Sequence, residues 1–417
     1  MISIFTPTNN CQWLEEAYDS LLAQSIADWE WIIVPNESAV VPERITEESR
    51  VRIIPSDAKT VGALKRYACE QSRGDILVEL DHDDLLTPDC LEETLEAFED
   101  PAIGFVYSNH AIFWDETWDA NEFGGFWGWE YRDFECYGHK FREALGFPPT
   151  AHSVSIIYFA PNHVRAWRRE VYWKAGGHDP DYLIIDDHDL VARTYLTTQF
   201  AFIDECLYLQ RYHKEQGFRR YNQRIQELTR EVRNKYLGRL IARWCELESL
   251  PRIDICCGDA KPEGYIGVDK FGGDVPADLD ERWPFDDNSI GCIRAYDALE
   301  HLKDKTHTMN EAYRVLVPGG WFITLTPSTD GRGAFQDPTH VSYWNENSFW
   351  YYTDQKFAKY DREIKCKFQD IRYRYTHGDK ATFFPSDWHK EHDIPYVRMD
   401  LVALKDGAGR QPGPRII

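Results

Sequence analysis

The sequence predicts two α/β domains joined by a long helix, and three observations carry that expectation. The chain has 417 residues, more than one hydrophobic core ordinarily serves. Strand-like and helix-like segments alternate over the first hundred or so residues and resume after Pro251, the pattern of a mostly parallel sheet covered by helices. Between these stretches, Ile225, Leu228, Val232, Tyr236, Leu240 and Trp244 recur three or four apart in a charged segment. That spacing places the apolar side chains on one stripe of a single docked helix. The expected layout is a first domain over 1–218, a linking amphipathic helix over 219–250, and a second domain over 251–417.

In chain order, "ISIFTP" reads as the first strand. Trp13, Leu14, Ala17, Tyr18, Leu21 and Leu22 then share one face of a helix. "EWIIV" is the next strand, residues 60–72 are helical, and "DILVEL" is a strand. Thr87-Pro88 marks a helix start with proline in the first turn. "AIGFVYS" follows as a strand. Residues 110–160 break the rhythm with Phe113, Trp114, Trp118, Phe123, Phe126, Trp127, Trp129 and Tyr131. They are an inserted subdomain with its own small core, or a surface on which sugars stack; aromatic residues serve packing more often. After Ser249-Leu250-Pro251 come the strands "RIDI", "GYIGVD", "SIGCIRAY" and "GWFITLTP". A helix over 304–316 is expected to stop at Pro318-Gly319-Gly320.

Composition narrows the function. Hydrophobic residues make up 43% of the chain, enough for packed globular cores, and the net charge is −23. A chain so acidic is not expected to have a nucleic-acid backbone or an anionic membrane as its main partner. The ten cysteines are scattered apart from Cys256-Cys257, which suits reduced thiols and a cytoplasmic setting. No basic, then apolar leader opens the sequence and no apolar run has the length of a membrane span.

The most informative stretch is "GDILVELDHDDLLTP", residues 74–88. An apolar strand ends in Asp81-His82-Asp83-Asp84. Ligands of open α/β sheets bind beyond the carboxyl ends of strands. Carboxylates in close order there suit Mg²⁺ or Mn²⁺, ions that also bridge phosphates. An acidic turn preceding a helix is the plainer explanation of such a cluster.

Companion motifs decide between the two. "ISIFTPTNN", "LLAQSIADWEWIIV", "VGALKRYACEQSRGDILVELDHDD", "RREVYWKAGGHDPDY" and "DDHDLVAR", in that order, resemble the family 2 glycosyltransferases, whose GT-A fold binds nucleotide sugars. The resemblance covers residues 1–215. It implies that Asp83 holds a divalent metal (Mn²⁺ or Mg²⁺) on the donor diphosphate, with Asp81 near the ribose and metal. It further implies that Thr6 and Thr8 line the nucleoside pocket and that Lys65 approaches the donor phosphates. Asp187 takes the place of the base that deprotonates the acceptor, and His213 that of a late histidine able to join the metal. N-terminal helix capping is the competing role for Asp186, Asp187 and Asp189. One departure stands out: Pro35-Asn36-Glu37-Ser38 replaces the family's Asp-Asp-Gly-Ser. Asn36 can still bond a uracil edge, which keeps a UDP-sugar as the leading donor.

The second half offers "RIDICCGDAKPEGYIGVDK", "DLDERWPFDDNSIGCIRAYDALEHL" and "EAYRVLVPGGWFITLTP". These resemble small class I S-adenosyl-L-methionine-dependent methyltransferases over residues 251–330, a second Rossmann-like fold. The resemblance implies that Asp254 and Gly258 mark the first strand and cofactor loop. Asp269 would bond the ribose hydroxyls, Asp278 would lie near the adenine, and Glu300-His301 near the methyl group. His340, Tyr343 and Trp344 could close over an acceptor, with His340 or His301 as base. Cys256 stands where the family usually has glycine, and the stretch between the first two strands is too short for a full helix. Together the resemblances imply a bifunctional enzyme that adds a sugar and methylates a sugar hydroxyl on a glycan or glycosylated-protein acceptor. The alternative is a glycosyltransferase whose second half is a degenerate, non-catalytic binding module.

Overall fold

The computed structural model describes residues 1–36, 39–157, 159–214, 217–371, 381–406 and 412–413. It divides into two compact units, Met1–Leu240 and Ile241–Ile417.

The first unit is built on a ten-stranded sheet of β1 (Ile2–Thr8), β2 (Trp29–Pro35), β3 (Val51–Ile53), β4 (Ile76–Glu79), β5 (Leu85–Leu86), β6 (Ile103–Trp114), β7 (Tyr131–Cys136), β8 (His139–Ala144), β9 (Arg165–Arg168) and β10 (Gln199–Tyr212). The main path runs β3-β2-β1-β4-β9-β6-β10-β5, with β7 and β8 forming a hairpin on β6. Strands β3, β2, β1 and β4 are parallel, whereas β9 runs antiparallel to both β4 and β6. The sheet is therefore mixed where the alternation suggested a mostly parallel one. Parallel neighbours need a crossover, and β9 instead follows the long aromatic insertion.

Helices α1 (Leu14–Leu22), α2 (Glu43–Thr46), α3 (Val61–Gln71), α4 (Cys90–Ala97), α5 (Ala151–Val154), α6 (Arg169–Lys174) and α7 (Asp186–Tyr195) belong to this unit. In α1, Leu14, Ala17, Tyr18 and Leu21 are buried as the spacing requires, while Leu22 lies off the stripe and is exposed. Thr60 caps α3 by accepting the Ala63 N–H. A Cβ on Gly62 would meet the Asp179 carbonyl oxygen at 2.1 Å. Only glycine lets α3 approach that loop, and the approach seats Lys65 beside α7. Helix α4 begins at Cys90, two residues beyond Pro88, because Thr87 is tied to the Leu207 carbonyl of β10.

Strands β1, β2 and β4 are buried along their whole length, and Ile4, Trp31, Val78 and Leu91 lie in one core. The insertion has a small core of its own around Phe113, Phe141, Cys206 and Leu209, with Trp118 stacked 4.6 Å from Phe113. Packing accounts for most of its aromatics, although Phe126 stays exposed.

Helix α8 (Gly217–Leu247) buries Val232, Tyr236, Leu240 and Trp244, and Ile225 and Leu228 are half-buried. The boundary between the two units falls within it.

The second unit holds β11 (Arg252–Ile255), β12 (Ile266–Asp269), β13 (Val275–Pro276), β14 (Ile290–Tyr296), β15 (Leu316–Pro327), β16 (Phe368–Asp370), β17 (Thr382–Phe383) and β18 (Tyr396–Ala403). Their order is β13-β12-β11-β14-β15-β18-β16, parallel from β13 to β15 and antiparallel at β18. Helix α9 (Lys305–Val315) ends before Pro318-Gly319-Gly320. Leu316 already pairs with Ile290, and the register shift before Trp321 absorbs the Pro-Gly-Gly. No helix lies between β11 and β12, as the short spacing anticipates.

Candidate functional sites

The acidic strand end of the first unit is held by partners far away in sequence. Asp84 is buried, accepting the Arg211 backbone N–H and the Tyr208 hydroxyl, both at 2.8 Å. Burial and the charges of Asp83 and Asp81 push its carboxyl well above the usual range. Arg211 is itself buried. Its guanidinium donates to the Asp83 carbonyl at 2.7 Å, to Asp115 at 2.6 Å and to Glu16 at 2.8 Å. Arg211, delivered by β10, thus holds Asp84 through its backbone while its guanidinium pairs with Asp115 and Glu16 beside the cluster.

Asp83 Oδ2 lies 2.9 Å from His213 Nε2, and Trp13 packs on that imidazole with ring centroids 4.3 Å apart. Burial is the largest influence and works against the Asp83 charge, but the His213 hydrogen bond and the charges of His82 and His213 together hold the carboxyl low. Adjacent donors of an octahedral ion with bonds near 2.1 Å stand about 3.0 Å apart. The Asp83 and His213 pair therefore fits a Mg²⁺- or Mn²⁺-sized ion with little movement. Asp81 is next to it and about a third exposed; burial pushes its carboxyl up to about 6, with Lys65 opposing and Glu79 and Asp83 reinforcing. Asp81, Asp84 and His163 also offer ligand atoms within 4.8 Å of one another. In that group Asp84 is already committed to Arg211 and Tyr208, so Asp83 and His213 are the better donors. A cleft of about 480 Å³ lined by Trp13, Trp114, Asp115, Tyr212, His213 and Lys214 opens beside them.

Beneath the strand end lies a buried ionic network. Lys65 Nζ stands 2.5 Å from Glu79 Oε1 and 3.6 Å from Asp186 Oδ2. Burial opposes the Lys65 charge, but Asp186 and Glu79 prevail and keep it protonated. A phosphate would have to compete with two carboxylates for this ammonium, so the structure places Lys65 as an internal counter-ion. Arg165, also buried, donates to Asp187 Oδ2 at 2.8 Å. Asp186 and Asp187 open α7, but the cap position is Ile185, in a left-handed conformation with no side-chain cap. Burial drives Asp186 up to about 7; at Asp187 burial is outweighed by Arg165 and Lys65, which hold it down to about 2. Adjacent carboxylates in one sequence thus have opposite tendencies. Asp189 faces away, bonded to Arg193 at 2.7 Å and Tyr236 at 3.0 Å.

Thr6 is fully buried; its hydroxyl donates to the Leu80 carbonyl and accepts the Trp31 indole N–H. It fixes the ends of β1 and β4 and does not line a cleft. Thr8 is buried as well and bonds the Asn10 carbonyl. Asn36 is half-buried at the end of β2, its backbone N–H on the Thr8 carbonyl; Glu37 and Ser38 lie outside the described residues. Glu79, Arg165, Tyr208 and Arg211 escaped the motif reading. A glutamate inside an apolar strand, "ILVEL", was the one available signal, because a buried charge demands a partner.

In the second unit Gly258 follows β11 with φ +54, and open space lies where a Cβ would stand. Asp269 ends β12 and accepts the N–H groups of Gly258 and Phe271, both at 2.9 Å. Two of its roughly four acceptor positions remain for a ribose diol. Gly258, Asp269, Asp278, Asp297 and His301 line one cleft of about 440 Å³. Lys270 holds Asp278 at 2.6 Å. Asp254 does not face this cleft; it is buried in the sheet, bound at 2.8 and 2.9 Å by Arg294 from its register partner on β14. An open glycine turn beside a carboxylate with acceptor positions to spare fits an adenosyl cofactor.

Residues 3–159 match the family model described as glycosyl transferase family 2, and residues 255–324 match a methyltransferase domain. The chain joins a family 2 glycosyltransferase domain to a methyltransferase domain. Both domains are Rossmann-like α/β folds. A chondroitin synthase of Escherichia coli is 31% identical over 117 residues, which are 26% of this chain and 17% of that protein. The O-antigen biosynthesis protein RfbC of Myxococcus xanthus is 27% identical over 225 residues, 50% of this chain and 16% of that protein. The chain thus spans about a sixth of the length of these relatives. The crystal structure of S. aureus TarS 1-349 superposes with a TM-score of 0.41 at 12% identity, covering 59% of this chain and 72% of that one. Among the described residues, no helix is long and apolar enough to cross a membrane.

Proposed function

We propose that the glycosyltransferase domain performs metal-dependent, inverting transfer of a sugar from a nucleotide-sugar donor, and that the methyltransferase domain methylates a sugar hydroxyl. The observation that carries the first half is the 2.9 Å Asp83–His213 pair at the end of β4. A divalent ion held there would screen the donor diphosphate and the charge that builds on it as it departs. Asp187 accepts the proton of the acceptor hydroxyl as that oxygen attacks the anomeric carbon. Arg165 keeps Asp187 ionised and oriented, at some cost in basicity. The aromatic faces of Trp13, Trp114 and Tyr212 in the neighbouring cleft suit sugar C–H groups. Asn36, which follows the end of β2, can bond a uracil edge, and this favours a UDP-sugar as donor. The acceptor is a glycan or glycosylated protein, and the setting is cytoplasmic.

In the second domain Asp269 orients the ribose of S-adenosyl-L-methionine and Asp278 lies toward the adenine. The bound cofactor supplies an electrophilic methyl group. Exposed Phe335 and Tyr343, 5.1 Å apart, flank the rim near His340 and offer faces to an acceptor sugar. The missing helix after β11, with Cys256 in the loop, favours a second reading, a module that binds acceptor without catalysis. Calorimetry with S-adenosyl-L-methionine separates them. Mass spectrometry of the acceptor, with donor and cofactor supplied singly and together, tests the joint reaction. Methyl product only when both are present supports sequential work on one glycan; full-rate methylation of bare acceptor overturns it.

A further inference from the structure

We propose that Glu300, His301 and His340 bind one divalent transition-metal ion at the rim of the methyltransferase cleft. The three residues offer ligand atoms within 4.8 Å of one another. Two histidines and one carboxylate, with other positions open, make a donor set suited to first-row ions such as Mn²⁺, Fe²⁺ or Zn²⁺.

The hydrogen bonds around the triad already fix the tautomers a metal requires. His340 Nδ1 lies 3.0 Å from the Ala334 carbonyl, which can only accept, so Nδ1 carries the proton. His301 Nδ1 lies 3.3 Å from both oxygens of Thr339. The Thr339 hydroxyl proton is spent on Asp337 at 2.7 Å, so both oxygens accept and Nδ1 again carries the proton. Each imidazole therefore presents a bare Nε2 lone pair, the arrangement metal-bound histidines show when a carbonyl holds the other nitrogen. Their rings stand 5.1 Å apart.

Glu300 is buried, and its Oε2 accepts the Thr326 hydroxyl at 2.7 Å. Its backbone carbonyl accepts the N–H groups of Val341 and Ser342 at 2.8 and 3.0 Å. Those bonds fasten the His340 segment onto the Glu300–His301 turn, so residues some forty positions apart are held as one unit. Asp297 lines the same cleft and its charge bears on Glu300. A buried carboxylate with an acidic neighbour is what a bound ion would relieve.

The site stands apart from the methyl-transfer reading; only its catalytic use rests on that reading. There, an acceptor hydroxyl on the ion becomes more acidic and releases its proton to water. The oxygen pair forms a C–O bond to the methyl of the sulfonium cofactor, and the C–S pair returns to sulfur, leaving a neutral thioether. In this arrangement His301 and His340 are ligands and not bases, since one Nε2 lone pair cannot serve both roles.

The test uses the full chain carrying Asp83→Ala and His213→Ala, freed of metal by chelation and titrated with Co²⁺. Visible absorption and calorimetry should show one equivalent bound with histidine-coordinated bands. His340→Ala or Glu300→Gln should weaken binding by at least about tenfold, with thermal melting confirming the fold. Should the double variant fail to fold, the intact chain should bind one equivalent more than its His340→Ala variant. Absence of stoichiometric Co²⁺ binding, or binding unaltered by His340→Ala, overturns the proposal. S-adenosyl-L-methionine titrated into the same samples keeps the two readings apart. Metal without cofactor binding upholds the site while sinking methyl transfer, and cofactor binding without metal does the reverse.

Discussion

Arg165 Nη1 stands 2.8 Å from Asp187 Oδ2 and 3.6 Å from Glu79 Oε2, so one buried guanidinium serves two carboxylates. The pair explains how a carboxylate at a buried helix start stays ionised. Replacing Arg165 with Gln should let the Asp187 carboxyl rise from about 2 toward the ordinary range. The acid limb of the sugar-transfer pH profile should then move to higher pH. Leaving buried carboxylates short of a partner should also cost about 3–5 kcal/mol of stability, visible in denaturant melts. An unmoved acid limb would argue against Asp187 as the titrating base.

Asp187→Asn should leave donor affinity nearly intact while the transfer rate falls by roughly 10²-fold or more, since an amide cannot take the acceptor proton. Near-normal turnover in a folded variant would exclude the role.

Asp83→Ala should abolish the tightening of nucleoside diphosphate binding that Mn²⁺ or Mg²⁺ gives the parent chain. Without the carboxylate, the His213 nitrogen alone is a poor anchor for either hard ion. Calorimetry with and without metal measures this, and metal stimulation persisting in the variant would move the ion to other ligands.

Asp269→Asn should weaken S-adenosyl-L-methionine binding by about 1.5–3 kcal/mol, at least about tenfold, through loss of charge-assisted bonds to the ribose. The variant also tests the loop, because the carboxylate receives the Gly258 and Phe271 N–H groups. Equal affinity in parent and variant would place the ribose elsewhere.

Burial holds His110 and His188 down to about 4 and His152, His163 and His178 to about 3. Unfolded, each would take its proton near pH 6.5. The unfolded chain therefore binds more protons between pH 6.5 and about 4, and stability falls as pH drops through that window. Each histidine contributes up to about 1.4 kcal/mol per pH unit. All five lie in the first unit, so its melting transition should fall steeply from pH 6.5 to 5. A flat profile there would show that these imidazoles are not buried neutral.

Part of the site was legible in the residues themselves. The carboxylates after an apolar strand marked the strand end where Asp83 and His213 meet, and strand-to-helix alternation marked two α/β units. The brevity of the segment after β11 foretold a missing helix. The partners of those carboxylates could not be read the same way. Arg211 lies on β10 and His213 just after it, more than a hundred residues beyond Asp83. Arg165 reaches Glu79 and Asp187 only because β9 inserts antiparallel between β4 and β6.

The sequence by itself determined the alternating strands and helices that open each half, where acids gather, and which two families the halves resemble, because periodicity and motif order are local properties of the chain. Tertiary structure alone decided what each charge does. It turned Lys65 and Asp254 inward to ion pairs, gave Thr6 to the joint between two strands, and drove the Asp186 carboxyl up while holding its neighbour Asp187 down. The reason is physical. A carboxylate's protonation depends on its burial and on charges within a few ångströms, and those neighbours arrive from distant strands once the sheet has its order.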